Sequence, residues 1–293
     1  MTQQKIAIVT GANNGIGFET AIGMAEAGYN TVLACRSKAK GTSAMAEMQK
    51  RVPKGQFALL QLDLSDFGSV RDFAAEFREQ FDHLDVLINN AGVLDYSGRE
   101  ASNGYELQLM TNHLGHMLLT SLLLDLMPDD PKSRIVSLSS VAHKGAKIYF
   151  DDIHCENQEG VAAYGQSKLA CLLFGDELSR RLQAAGKKIH SLSVHPGGSD
   201  SGLFDDMSRL QYYTLKILAP FIIHDNASAA KPALHAALAE TVKGGEYYGP
   251  QGFKELRGNV GLAIRDASAQ DEAAAKKFWD ISEDLIGEKF CLA

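Results

Sequence analysis

A tyrosine and a lysine four residues apart, Tyr164 and Lys168, have the types and the spacing for proton transfer. Residues at this spacing lie on one face of a helix, so a phenol and an ammonium can share a site. An ordinary tyrosine has a pKa of about 10 and is a poor proton donor or acceptor at neutral pH. Lowering such a pKa to about 7 takes roughly 4 kcal/mol, which an ammonium at about 4 Å supplies. The pair is therefore chemically sufficient for general acid–base catalysis.

Two features upstream give this pair a context. A serine-rich run ends at Ser139 and Ser140, shortly before the pair, and a glycine-rich turn at 10–17 contains Gly11, Gly15 and Gly17. The turn separates a predicted strand from a predicted helix, where glycine lets the backbone approach a pyrophosphate and the helix N-terminus attracts it. Its spacing, GxxxGxG, departs from the more common GxGxxG. The turn predicts a dinucleotide site.

The end of the second predicted strand indicates which dinucleotide binds. NAD sites usually carry an acidic residue there, whereas an arginine suits the 2′-phosphate of NADP. The chain has Cys35-Arg36-Ser37 at this point, with Lys40 close behind. Because Arg36 can bind a phosphate through two hydrogen bonds and Ser37 can add a hydroxyl, the sequence favours NADP over NAD.

The elements that must position these residues alternate along the chain. Apolar runs that read as strands are separated by helical stretches, which predicts an α/β protein with a doubly wound parallel sheet (a Rossmann fold) and helices on both faces. Ligands of such a sheet bind at the carboxyl ends of its strands. We expect one domain, 1–293, with a long helix at 104–127, a substrate-side lid segment at about 201–224 and a C-terminal helix at about 268–287. The predicted strands are 5–10, 31–35, 57–62, 84–89, 134–138 and 189–194, with a short one at 247–248.

Composition narrows the class of protein. The 293 residues are 45% hydrophobic and 22% charged, with a formal net charge of −7, which is an ordinary globular composition and argues against nucleic acid as a partner. The four cysteines are scattered and indicate neither a disulfide framework nor a zinc site. The loop at 151–156 contains metal-ligand residue types without the spacing of a site, so no metal is expected. The polar start of the chain and its interrupted apolar runs predict a cytoplasmic protein without a membrane span.

Taken together, these motifs resemble the short-chain dehydrogenase/reductase superfamily over nearly the whole chain. The resemblance rests on motifs in the family's order: the turn at 10–17, Asp63-Leu64, Asn89-Asn90-Ala91-Gly92, Asn112, Ser140, Tyr164 with Lys168, and His195-Pro196-Gly197. The segments at 111–116, 139–143 and 164–170 are similar to the retinol dehydrogenase-like branch, which also includes enzymes similar to protochlorophyllide reductase.

The resemblance implies a role for each matching residue. Tyr164 would be the general acid or base, Lys168 would assist it and hold the nicotinamide ribose, and Ser140 would hydrogen-bond the substrate oxygen. Asn112 would hold a water molecule that relays protons to Lys168. Tyr164 and Lys168 would also contact the cofactor, and the other cofactor-binding residues would be Gly11, Asn13, Asn14, Gly15, Ile16, Gly17, Arg36, Ser37, Asp63, Leu64, Asn90, Ala91, Gly92, Pro196, Gly197, Ser199 and Ser201.

Several alternatives stay open at this level. The favoured function is hydride transfer between NADP and a lipophilic carbonyl or alcohol; a reductase of a conjugated carbon–carbon double bond and a catalytically silent NADP sensor or scaffold are the alternatives. The apolar segment at 201–224 fits a lid, an oligomer interface, core packing or a membrane-surface helix. Related proteins often pair through helices corresponding to 104–127 and 161–185, which makes a homodimer a possible partner.

Overall fold

The computed structural model describes residues 4–95, 97, 100–101, 104–158, 160–198 and 225–292. Within these residues one sheet of eight strands has the order β3-β2-β1-β4-β5-β6-β7-β8. The first seven run parallel, and β8 pairs antiparallel with β7. The strands are β1 Ile6–Thr10, β2 Asn30–Cys35, β3 Gln56–Gln61, β4 Val86–Asn89, β5 Arg134–Leu138, β6 His190–Val194, β7 Tyr247–Pro250 and β8 Val260–Leu262.

The strand order reverses at β1, which pairs with β2 on one side and with β4 on the other. Every residue of β1, β4 and β5 is buried, because helices cover both faces of the sheet here. A crevice opens at the carboxyl ends of the strands where the order reverses, and this is where ligands of such sheets bind. The structure confirms the doubly wound α/β fold.

The helices lie between the strands and pack on the two faces. They are α1 Gly15–Glu26, α2 Lys38–Arg51, α3 Phe67–Gln80, α4 Leu107–Leu109, α5 Gly115–Leu123, α6 Gly160–Ala184, α7 Asn226–Leu238 and α8 Glu272–Ile286. One core cluster draws on α3, α5, α6 and α8, with Phe73, Leu118 and Phe174 among its members. The other lies against α1, α2 and α7, with Met24 and Met48. Both clusters hold the sheet rigid beneath the crevice.

Some elements differ from the sequence prediction. The long helix predicted at 104–127 is divided, because a π-turn at Met110–Leu114 separates α4 from α5 and a 3-10 turn follows at Leu124–Leu126. The prediction missed β8, which is short and follows a loop without a strand-like pattern. The segment at 201–224 lies outside the described residues. No described helix combines the length and the hydropathy needed to cross a membrane.

Candidate functional site

A cavity of about 610 Å³ lies at the carboxyl ends of the central strands. It extends from the end of β2, past the glycine turn, to the residues that follow β5 and β6. Its lining includes the following residues named from the sequence: Gly11, Asn13, Asn14, Gly15, Ile16, Gly17, Arg36, Ser37, Asp63, Leu64, Asn90, Ala91, Gly92, Ser140, Tyr164, Lys168, Pro196 and Gly197. Residues far apart in the sequence therefore meet at one site.

The glycine turn is packed too closely to accept side chains. A β-carbon on Gly17 would lie 2.4 Å from the carbonyl oxygen of Gly11 and 2.5 Å from Asn90 Nδ2. Asn90 is fixed there, because its Nδ2 donates to the carbonyl oxygen of Thr10 at 2.7 Å. Asn14 precedes α1 without capping it through its side chain, so the amides of the first turn face the cavity uncapped. The turn thus fits the phosphates of a dinucleotide.

The end of β2 forms the basic part of the cavity. Arg36 and Lys40 both line it, and Ser37 caps α2 by accepting a hydrogen bond from the Lys40 amide at 3.3 Å. Just after the neighbouring strand β3, Asp63 also lines the cavity, but its Oδ1 already accepts from the amide and hydroxyl of Ser65 at 3.0 and 2.6 Å. Two cations and a hydroxyl at the end of β2 fit a phosphate group.

Tyr164 and Lys168 lie one turn apart on α6, on the face that meets the cavity. Lys168 Nζ is 5.8 Å from the centroid of the Tyr164 ring and donates to the carbonyl oxygen of Leu138 at 3.2 Å. Lys168 is only 5% exposed, whereas Tyr164 is half-buried. Gly92 makes room for the ammonium, since a β-carbon there would lie 3.0 Å from Lys168 Nζ. The lysine is therefore held between β5 and the loop after β4.

The two serines that follow β5 have different surroundings. Ser139 is 2% exposed, and its hydroxyl donates to the carbonyl oxygen of Lys168 at 2.7 Å, which ties β5 to α6. Ser140 is half-buried and caps the short 3-10 turn Val141–His143, with its Oγ accepting from the Ala142 amide at 3.2 Å. Because that bond uses a lone pair and leaves the hydroxyl proton free, Ser140 can still donate into the cavity.

Asn112 is the predicted catalytic residue that does not line the cavity. It lies in the π-turn, is 2% exposed, and exchanges two hydrogen bonds with the backbone of Val93, at 2.7 and 3.0 Å. Its Nδ2 also donates to Ser167 Oγ at 2.8 Å. A π-turn is common at functional positions because it redirects one turn of a helix. Here the side chain of Asn112 links the π-turn to the loop after β4 and to α6, behind the cavity.

His116 connects this turn to β1, a role that the sequence did not indicate. Its Nδ1 lies 3.0 Å from the carbonyl oxygen of Asn112, which only accepts, so Nδ1 carries the proton. Burial lowers the pKa of His116 to about 4, and the neutral ring accepts from the Thr10 hydroxyl through Nε2 at 2.8 Å. Thr10 Oγ1 in turn accepts from the amides of Asn90 and Ala91, both at 2.9 Å. This assignment follows from the hydrogen-bond pattern.

Other lining residues were also missed. Leu256 lies in the connection between β7 and β8 and reaches the cavity only through the fold. Ser199 and Ser201, expected to bind the cofactor, lie outside the described residues. Burial raises the pKa of the Cys35 thiol to about 11, so this neighbour of Arg36 stays neutral.

In the loop at 151–156, the carboxylate of Asp152 is hydrogen-bonded to the neighbouring backbone. Asp152 accepts from the backbone amides of Glu156 and Asn157 at 2.9 and 3.1 Å. The side chain of Gln166 on α6 bonds to the amide of Tyr149 at 2.7 Å and to the carbonyl oxygen of Ile153 at 2.9 Å. The loop is thus held against the helix that bears Tyr164.

Comparison with known proteins gives matches over most of the chain. The family model described as short chain dehydrogenase matches residues 5–210. Retinol dehydrogenase 11 of Homo sapiens is 39% identical over 288 residues, which cover 97% of this chain and 86% of the relative. Retinol dehydrogenase 13 of Homo sapiens is 38% identical over 293 residues and covers 97% and 85%.

Solved structures agree with these matches. A crystal structure of an uncharacterized protein from Mycobacterium Paratuberculosis has a TM-score of 0.81 and 35% identity, covering 99% of this chain and 95% of that one. The RhlG/NADP active-site complex of Pseudomonas aeruginosa has a TM-score of 0.65 and 23% identity, covering 83% and 93%, and shares the fold.

Proposed function

The chain belongs to the short-chain dehydrogenase family, in its retinol dehydrogenase-like branch, and on this premise we propose that it is an NADP-dependent oxidoreductase interconverting a lipophilic carbonyl compound and its alcohol. One observation carries the proposal: Tyr164, Lys168 and Ser140 line the same cavity as the glycine turn and Arg36. A dinucleotide lying along that cavity would have its phosphates at the turn and its reactive ring near the tyrosine. When bound, the nicotinamide supplies or accepts the hydride.

The 2′-phosphate of NADP is assigned to Arg36, Ser37 and Lys40. Their grouping at the end of β2 supports this choice, because a guanidinium binds a phosphate through two charge-assisted hydrogen bonds. NAD would instead need an acidic partner for its ribose hydroxyls at this strand end, where the chain has Arg36.

In carbonyl reduction, Tyr164 donates its proton to the substrate oxygen as negative charge develops there. The Ser140 hydroxyl donates a hydrogen bond to the same oxygen, which stabilises the charge most strongly in the transition state. The buried ammonium of Lys168 stabilises the phenolate that forms on Tyr164. In alcohol oxidation Tyr164 removes the proton instead.

Apolar side chains in the cavity that contains Tyr164 support a lipophilic substrate. Val93, Leu94, Val141 and Leu256 are among its lining residues. Apolar lining with a few polar groups is typical of sites that bind organic molecules. Since the relatives are named retinol dehydrogenases, retinal belongs among the substrates tested.

The test is steady-state oxidation of NADPH, and separately of NADH, with aldehydes and ketones graded by size and polarity. We expect turnover with NADPH on the apolar members, and a fall in kcat of about 10²- to 10⁴-fold in Tyr164→Phe, because the phenol is the proton donor. NADPH binding without carbonyl reduction would contradict the proposed reaction and favour reduction of a conjugated double bond or a catalytically silent protein.

Cofactor choice is tested separately with Arg36→Leu. Losing a charge-assisted phosphate contact of about 1.5–3 kcal/mol should raise the KM for NADPH about 10- to 150-fold and leave the KM for NADH nearly unchanged. Lys38→Leu removes a nearby exposed cation that is not among the cavity-lining residues, and it should change neither constant. A preference of the wild type for NADH would overturn the role given to Arg36.

A further inference from the structure

A buried carboxylate beside the cavity, Glu255, is held in an unusual backbone conformation. Its φ is +57° and that of Lys254 is +50°, a region that favours glycine. Glu255 is 7% exposed although it is charged, so the fold must hold it with compensating partners. Two neighbouring non-glycine residues in this region are a reason to look for a functional constraint.

The carboxylate of Glu255 has partners in two separate segments. Its Oε1 accepts from the amide of Ile264 at 2.8 Å, and its Oε2 forms an ion pair with Lys144 Nζ. His195 Nε2 lies 4.0 Å from Oε2, which is too far for a hydrogen bond. Because the Gly197 amide donates to His195 Nδ1 at 3.2 Å, the neutral ring carries its proton on Nε2, the atom nearest the carboxylate. Burial lowers the pKa of His195 to about 4, consistent with that neutral form.

Lys144 and Leu256 connect Glu255 to the lining of the cavity. Lys144 is the last residue of a short segment that begins at Ser140. Within this segment the carbonyl oxygen of Ser140 accepts from the amide of His143 at 3.1 Å and from its Nδ1 at 2.6 Å. His195 directly precedes the loop 196–198. Leu256, the residue after Glu255, lines the cavity, and its carbonyl oxygen accepts from the Gly198 amide at 2.9 Å.

We propose that Glu255 is a positioning residue that holds the Ser140 segment and the loop 196–198 in register at the catalytic end of the cavity. Its carboxylate fixes the first segment through Lys144, and the backbone beside it fixes the second through Leu256. The inference rests on the proposed function for its kinetic consequence, because Ser140 and Tyr164 must meet the same substrate oxygen.

A carboxylate elsewhere in the chain provides a matched control. Glu283 on α8 is also 7% exposed, accepts from the amide of Phe290 at 3.0 Å and pairs with Lys289 at 3.2 Å. It is not among the residues that line the cavity. Glu255→Gln and Glu283→Gln therefore remove the same charge from the same degree of burial, and only the first should affect the site.

The first measurement needs no ligand. Hydrogen–deuterium exchange of the intact protein should show faster exchange, about tenfold or more, in peptides covering 140–146 and 195–198 in Glu255→Gln. The first segment loses its ion pair through Lys144, and the turn that presents the carbonyl oxygen of Leu256 to the Gly198 amide loses the same pair as its support. Glu283→Gln should leave these peptides as in the wild type. Unchanged exchange in either segment, or equal changes in both variants, would overturn the proposal.

Kinetics form the second measurement. In Glu255→Gln we expect kcat to fall about tenfold or more while the Kd of 2′,5′-ADP, which lacks the nicotinamide, stays within about twofold. Lys144→Met should reproduce the loss and Lys144→Arg should restore it, and these variants replace Glu255→Gln if that protein does not fold. If the wild type turns over and the kcat of Glu255→Gln is unchanged, the proposed function stands and the role of Glu255 is overturned. Absent wild-type turnover counts against the function, and the exchange result alone then decides the role of Glu255.

Discussion

At the scale of single residues, the two serines that follow β5 differ in the hydrogen bonds of their hydroxyl groups, and this difference gives them different roles. Both serines line the cavity, but the Ser139 hydroxyl donates to the carbonyl oxygen of Lys168, whereas the hydroxyl proton of Ser140 has no such acceptor among the described residues. The sequence pattern named Ser140 through the family's usual position. The contacts give that choice a physical reason.

Substitution of each serine by alanine should separate the two roles. Ser140→Ala should lower kcat about 10²- to 10³-fold with little change in the Kd of NADPH, because the donor acts mainly on the developing charge. Ser139→Ala should instead lower the free energy of unfolding by about 0.5–1.5 kcal/mol, since the buried hydrogen bond that ties β5 to the carbonyl oxygen of Lys168 is lost. Turnover assays and urea unfolding measure these effects. Equal losses of kcat in both variants would contradict the assignment.

At the scale of elements, α1 shows two glycines whose close packing has different consequences. Gly17 faces backbone atoms of the turn, while Gly23 faces the end of the Leu234 side chain on α7, where a β-carbon would lie 2.5 Å from Cδ1. Backbone cannot move aside without deforming the turn, but a leucine can change its rotamer. Gly17 and Gly23 on α1 therefore form a matched pair for substitution by alanine.

Gly17→Ala should weaken NADPH binding about tenfold or more, because the displaced turn no longer presents its amides to the phosphates. Gly23→Ala should lower stability and leave the Kd of NADPH within about twofold, because Leu234 absorbs the change. Fluorescence titration of NADPH and thermal unfolding distinguish the two effects. Normal binding by Gly17→Ala would remove the turn from the proposed cofactor site.

Element prediction succeeded where local pattern decides the outcome. Strands β1, β4 and β5 are short apolar runs, and the sequence pattern predicts their ends to within two residues. Their burial on both faces of the sheet leaves a clear signal in the sequence. The π-turn at Met110–Leu114 left no such signal. It is accompanied by hydrogen bonds of the Asn112 side chain, which accepts from the Val93 amide and donates to Ser167 Oγ, and these residues come together only in the folded chain.

At the scale of the whole molecule, buried histidines tie stability to pH. Burial lowers the pKa of His113 to about 3 and those of His116 and His195 to about 4. In the unfolded chain these groups titrate at about 6.5, so only the unfolded state takes up their protons as the pH falls below that value. The stability that they contribute is therefore complete above pH 6.5 and decreases towards pH 4.

Between pH 7 and pH 5, each of these histidines should cost roughly 2 kcal/mol of unfolding free energy. Urea unfolding at both values, followed by the fluorescence of the buried Trp279, measures the loss. His113→Phe should reduce it by about one histidine's share, because the new ring has no proton to bind. The variant also loses the hydrogen bond between His113 and Ser282, which lowers stability at both pH values alike. The same loss in wild type and variant would contradict this account.

The sequence by itself determined the alternation of strands and helices, the glycine turn, the basic end of β2 and the pairing of Tyr164 with Lys168. These features depend on spacing along one element or on the residues at its end, and such spacing is visible in a linear chain. Only the tertiary structure decided that Asn112 lies behind the cavity, that His116 joins β1 to the π-turn, and that Glu255 pairs with Lys144. Those contacts join residues more than a hundred positions apart, or the facing sides of different elements, and burial rather than local pattern selects their partners.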